Sequence, residues 1–267
     1  MVKYMEIFKK WSLESMSNIF LKEIRLKNFE KNAFYSKIDG LNKFNHLKFN
    51  QPITFFSGEN GTGKSTLLEA IAIKLGFNPE GGSLNFNFAT KNTHSNLEEY
   101  LVLGRGEERA KDGFFLRAES FYNLATYVDN ISDNFSEYGD SSLHHQSHGE
   151  SFLNLVNHRF RGKGLYILDE PESALSIQRQ LALMVSIKQL VDEGSQFIIA
   201  THSPFLLALP NSQIVSFDRD SPIEITYEES KPYELTALFL IIKIGCCINF
   251  LIKSSREGEK ELKNDTL

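Results

Sequence analysis

The chain has 267 residues and a mass of 30.5 kDa, enough for one large domain or one domain with an appendage. Its composition is ordinary for a globular protein: 41% hydrophobic, 24% charged, 22 Phe and only seven Pro, which argues against a disordered or fibrous chain. The net charge of −5 excludes a global electrostatic pull toward nucleic acid or anionic lipid, although the first fifty residues hold ten Lys/Arg against five Asp/Glu. That basic segment reads first as a solvated lysine-rich surface.

In chain order, residues 1–19 read as an N-terminal extension. MVKYMEIFKKWSLE has scattered charges and no continuous apolar core, unlike a signal peptide, so a cytoplasmic location is expected. FLKEIRLKNF (20–29) alternates like a half-exposed strand, and PITFFSGENG carries a buried strand into a glycine loop. STLLEAIAIKLGF then has helical spacing, predicting a helix over Lys64–Leu75. GGSLNFNFATKNTHSN (81–96) reads as loop or irregular strand. GLYILDEP (164–171) and QFIIATHSP (196–204) are buried strands, and SALSIQRQLALMVSIKQLVDEG (173–194) between them is an amphipathic helix with a glycine stop. Strands joined by helix-length crossovers predict an α/β fold with a largely parallel central sheet flanked by helices.

LTALFLIIKIGCCINFLI (235–252) has a single charge, Lys243, and approaches the minimum length of a membrane span. It reads as a buried or partner-covered segment rather than a membrane anchor, or as an atypical terminus. The two cysteines, Cys246 and Cys247, are adjacent, so neither a disulfide framework nor a Cys-based zinc site is expected.

Three stretches carry chemistry. GENGTGKS (58–65) matches G-x-x-x-x-G-K-[ST] between a strand and a helix, the P-loop arrangement in which backbone N–H groups surround phosphate oxygens at a helix N-terminus. Gly58, Glu59, Asn60, Gly61, Thr62 and Gly63 form the loop. Lys64 is expected to reach the β- and γ-phosphates of ATP, Ser65 to ligate Mg²⁺, and Thr66 to contact the α-phosphate. LYILDEPES (165–173) delivers Asp169 and Glu170 at a strand's C-terminal edge. Asp169 is expected to hold Mg²⁺ through its water shell and Glu170 to act as general base toward the attacking water. IIATHSP (198–204) places His202 after another buried strand, where an imidazole can meet the γ-phosphate.

HHQSHGESF (144–152) has three histidines within five positions, His144, His145 and His148, a candidate metal cluster that no nearby Cys or suitably spaced carboxylate completes.

GENGTGKST, ILDEPESALS and ATHSP, in this order, resemble the Walker A, Walker B with D-loop, and switch-histidine motifs of ABC-type ATPases. The resemblance covers most of residues 20–230, with a helical signature subregion at about 90–160 and a tail at 231–267. It is closest to small stand-alone members of the SMC-like and DNA-repair branch, and it implies antiparallel strands at the N-terminal end of the domain. Where such proteins carry an LSGGQ-like signature, this chain has SHGES (147–151), with His148 and Glu150 in place of a glycine and a glutamine. The resemblance further implies a homodimer in which Ser147, His148, Gly149 and Glu150 of one protomer close on the nucleotide of the other. No Q-loop glutamine stands at its usual place. FFLRAESFYN (114–123) puts Glu119 there as a possible Mg²⁺ contact, and Phe29 and Phe44 are candidate adenine-stacking rings.

The function implied is ATP binding and hydrolysis that drives or regulates an unknown protein partner, with DNA repair or defence as the candidate setting. A membrane-transporter ATP-binding subunit and a nucleotide switch with negligible hydrolysis are the alternatives. Nucleic acid is a possible partner that no motif specifies, and a membrane is not an expected one.

Overall fold

In a computed structural model, residues 18–27, 34–83, 96–119, 121 and 148–244 are described. The chain divides into two compact units, Met1–Thr226 and Tyr227–Leu267.

The first unit opens with β1 (Leu21–Leu26), β2 (His46–Lys48) and β3 (Ile53–Ser57), followed by helix α1 (Lys64–Leu75). After a single-turn helix at Leu97–Tyr100 come β4 (Leu101–Arg105), β5 (Asp112–Arg117) and helix α2 (His148–Arg159). Then follow β6 (Gly164–Asp169), α3 (Ile177–Asp192), β7 (Gln196–Ala200), β8 (Ser212–Ser216) and β9 (Ile223–Ile225).

These strands form two sheets. β2-β1-β4 is antiparallel throughout. The larger sheet has the order β5-β6-β7-β3-β8-β9, parallel from β5 through β8, with β9 added antiparallel at one edge. All residues of β3, β6 and β7 are buried, which is why these segments read as mainly apolar runs without polar alternation: a parallel strand covered on both faces has no solvent side to show. β1 alternates instead, with Leu21, Ile24 and Leu26 inside and Lys22 and Arg25 outside.

Two buried glutamines fasten the sheets together. Gln196 Oε1 accepts from the backbone N–H groups of Phe20 and Leu21 at 2.8 and 2.9 Å, and its amide donates to Leu21 O at 3.0 Å. Gln213 does the same at the other end, accepting from Asn50 N at 3.2 Å and donating to Lys48 O at 3.0 Å. Each glutamine thus satisfies backbone groups that would otherwise be stranded where the sheets meet.

The helix expected over Lys64–Leu75 has those bounds. Gly76, at φ 101°, ends it: Gly76 N–H donates to Ile73 O and Phe77 N–H to Ala72 O. The second expected helix is shorter than 173–194. Pro171–Ala174 forms a 3-10 turn, and α3 starts after Ser176, because Leu175 adopts an extended backbone between them. The glycine stop at Gly194 (φ 85°) is present. Most of 81–96 lies outside the described residues.

Within the second unit, residues 231–244 are helical and Leu235, Leu238, Phe239, Leu240, Ile241, Ile242 and Ile244 are each more than half exposed. No helix among the described residues is long and apolar enough to cross a membrane. Cys246, Cys247 and the rest of the apolar stretch lie outside the described residues.

Candidate functional site

Five strands of the larger sheet end at one edge, and the loops that leave them carry the chemistry, as expected of an open parallel sheet. In spatial order these are β5 with Arg117, β6 with Asp169 and Glu170, β7 with Thr201 and His202, β3 with the glycine loop, and β8 with Asp218.

The loop 58–63 wraps the N-terminus of α1. Gly63, the residue before the helix, sits at φ 94°, and a Cβ there would meet Ile38 Cγ2 at 2.7 Å and Leu41 Cδ1 at 2.9 Å. A side chain is excluded both by backbone conformation and by space. Lys64 is 3% exposed, and its Nζ donates to the carbonyls of Gly58 and Glu59 at 2.7 and 2.8 Å. Burial pushes its ammonium below the usual lysine range, while the charges of Glu170 and Asp218 act the other way. A desolvated ammonium that hydrogen-bonds two neutral carbonyls can exchange them for an anionic ligand. Asp218 Oδ1 accepts from Glu59 N at 2.8 Å and so fixes the loop from the β8 side.

Beside the loop, Ser65 Oγ donates to Asp169 Oδ1 at 2.9 Å. Burial raises the Asp169 carboxyl from 3.8 to about 6, with Arg117 and the Ser65 hydroxyl opposing the rise. The next residue, Glu170, has a left-handed backbone (φ 48°), an arrangement worth about 1–3 kcal/mol of strain, held by Glu170 N donating to Ala200 O at 2.9 Å. Its Oε1 lies 3.6 Å from His202 Nε2, a ring nitrogen that is buried without a hydrogen-bond partner. Burial and the neighbouring Lys64 ammonium push the His202 imidazolium below its ordinary value, which favours the neutral ring. His202 N donates to Glu172 Oε1 at 2.5 Å, tying the two loops together; burial raises the Glu172 carboxyl.

The helix that SHGES opens, α2, begins at His148. Ser147 lies outside the described residues, as do the side chain of His148, His144, His145 and Phe29. Gly149 is buried where a Cβ would meet Arg179 Nη1 at 2.8 Å and Ala174 O at 2.9 Å, and Glu150 pairs with Arg179 at 2.9 Å. The start of this helix therefore packs on the turn that follows Glu170. Phe44, 2% exposed, is a core residue and offers no face to a base. Glu119 follows β5 in a turn, 86% exposed, with Oε2 3.7 Å from Arg117 Nη2. Arg117 and Asp218, which no sequence pattern marks, are the additional charged residues at this edge.

Among the described residues no group of three or more His, Cys, Asp and Glu side chains could hold a metal ion by itself. The Ser65 hydroxyl and the Asp169 carboxylate instead offer two hard oxygens at one spot, and the buried Asp169 charge would be relieved by a cation. This donor set fits Mg²⁺ carried in with substrate phosphates.

A strand, a glycine loop with a buried lysine at the helix start, and an Asp-Glu pair on a neighbouring parallel strand define a P-loop NTPase. A family profile described as an AAA domain matches residues 23–231, and the chain belongs to this family, within the ABC-type ATPase superfamily. An uncharacterized ABC transporter ATP-binding protein of Haemophilus influenzae is 27% identical over 205 residues, covering 68% of this chain and 76% of that protein. The hemin import ATP-binding protein HmuV of Idiomarina loihiensis is 26% identical over 179 residues, covering 59% of this chain and 68% of its own length. The SMC head domain from Thermotoga maritima superposes with a TM-score of 0.43 at 16% identity, covering 78% of this chain and 99% of that one. Similarity at that score says nothing about activity.

Proposed function

We propose that the chain binds ATP with Mg²⁺ and hydrolyses it, in a site completed by the signature of a second copy. The observation that supports this most is the convergence at one sheet edge of Lys64, the Ser65–Asp169 pair at 2.9 Å and the Glu170–His202 pair at 3.6 Å. Substrate phosphates would draw Lys64 Nζ from the carbonyls of Gly58 and Glu59 and take the loop N–H groups as donors. Ser65 and Asp169 would hold Mg²⁺, which would supply positive charge to the phosphate oxygens. Glu170 accepts the proton of the attacking water, and a neutral His202 positions that water or hydrogen-bonds the γ-phosphate. Glu119 is a further candidate for contact with the ion's water shell.

Ser147, His148, Gly149 and Glu150 are assigned to the partner's nucleotide, with the dimer forming on ATP binding. Glu170→Gln is expected to bind ATP, lose turnover and accumulate a nucleotide-held dimer on size exclusion. Its remaining monomeric at high concentration with ATP would remove the composite site. ATPase activity against protein concentration, with and without double-stranded DNA, separates the roles. A steep rise with concentration supports the shared site, stimulation by DNA supports a partner-remodelling role in repair or defence, and absent phosphate release leaves a nucleotide switch.

A further inference from the structure

Arg117 ends β5 directly opposite Asp169, its register partner on β6. Its Nη1 donates to Glu69 Oε2 at 2.6 Å, and its Nε lies 3.5 Å from Asp169 Oδ2. Asp169 in turn accepts from Ser65, and Ser65 and Glu69 are four residues apart on one face of α1. Ser65, Asp169, Arg117 and Glu69 therefore close a ring between the helix that follows the glycine loop and the ends of two adjacent strands. The side chains of Asp169, Glu69 and Arg117 are 7%, 14% and 20% exposed, so the charges in it are weakly screened by water.

The two arms of Arg117 differ. The arm to Glu69 is a short charge-assisted hydrogen bond. Toward Asp169 the guanidinium stands at ion-pair distance only, and its Nε is buried with no hydrogen-bond partner. Asp169 Oδ2 thus faces a fixed positive charge without being locked to it. The carboxylates of Glu170 and Glu119 also act on Asp169, an acidic field that attracts a cation and repels phosphates.

We propose that Arg117 is a positioning residue, the built-in counter-cation of the metal-ligand carboxylate. It keeps a positive charge beside Asp169 Oδ2 while Ser65 binds Oδ1, and it offsets the acidic field, so that nucleotide can dock before or without Mg²⁺. Glu69 sets how much of that charge reaches Asp169. The inference rests on the reading of Ser65 and Asp169 as the Mg²⁺ side of the site.

The test is the affinity of a non-hydrolysable ATP analogue, by calorimetry, in EDTA and in Mg²⁺; the ratio of the two is the readout. In wild type Mg²⁺ tightens binding. In Arg117→Gln, binding in EDTA weakens and the ratio grows about tenfold, as expected for the loss of a partly buried charge. Arg117→Lys keeps the ratio near wild type. Glu69→Gln releases Arg117 toward Asp169 and shrinks the ratio. A merely structural role would shift both affinities together and leave the ratio alone. A folded Arg117→Gln protein with the wild-type ratio overturns the proposal, and so does a Glu69→Gln protein with an unchanged or larger one. Glu69→Gln decides the matter if Arg117→Gln does not fold. A wild type that binds the analogue no tighter with Mg²⁺ overturns the Ser65–Asp169 reading itself, and the proposal with it.

Discussion

Replacing Asp169 by Asn should stabilise the nucleotide-free protein, and increasingly so as pH rises. Burial moves the Asp169 carboxyl from 3.8 to about 6. The folded value exceeds the unfolded one, so the folded protein holds this proton more tightly. The resulting stability is fully present below about pH 3.8 and is lost as pH rises through about 6. A carboxyl moved this far destabilises the fold by about 3 kcal/mol once it is fully ionised. Roughly 2 kcal/mol of that loss falls between about pH 4.5 and about pH 7.5. Asn accepts the same hydrogen bond from Ser65 Oγ and carries no charge, while Arg117 keeps its bond to Glu69. The melting temperature of Asp169→Asn relative to wild type should therefore climb by roughly 4–8 °C across that interval. Differential scanning fluorimetry in EDTA at the two pH values measures it. A difference that stays flat with pH, or falls, would refute the assignment of a strained buried charge. With Mg²⁺ and nucleotide added, wild type should recover its deficit, and Asp169→Asn should gain less stability than wild type.

Two further outcomes are expected. Lys64→Ala removes the one ammonium buried in the glycine loop and should abolish nucleotide binding by calorimetry; unchanged affinity would refute the loop assignment. Tyr166→Phe, near the start of β6 and away from the site, deletes a hydroxyl that accepts from Arg161 N at 2.5 Å and bonds Asp112 Oδ2 at 2.8 Å. It should lower stability by about 1–3 kcal/mol in urea melts, and a change in nucleotide affinity would contradict that separation.

Much of the architecture is legible in local patterns. Mainly apolar runs at 53–57, 164–169 and 196–200 announce parallel strands because both their faces are covered, and a glycine loop before helical spacing locates α1. Gly76 and Gly194 mark helix ends by backbone conformation alone. The start of α3 was less legible, since the extended Leu175 between two turns has no signature that distinguishes it from helix.

The placement of Gly58 to Thr66, Asp169, Glu170 and His202 at strand ends is legible in the sequence, because each is tied to its strand by neighbours a few residues away. Arg117, Glu69 and Asp218 do not, because their roles are pairwise and non-local. Arg117 meets Glu69 across 48 residues, and Asp218 meets Glu59 across 159. Gln196 and Gln213 likewise read as ordinary polar residues in strands until the two sheets are packed and their amides are found bridging backbone groups. A short motif fixes which atoms can do chemistry, since phosphate binding needs a particular backbone path. Which charges face those atoms, and with what burial, is decided only when strands distant in sequence become neighbours, because the energy of a charge depends on what surrounds it.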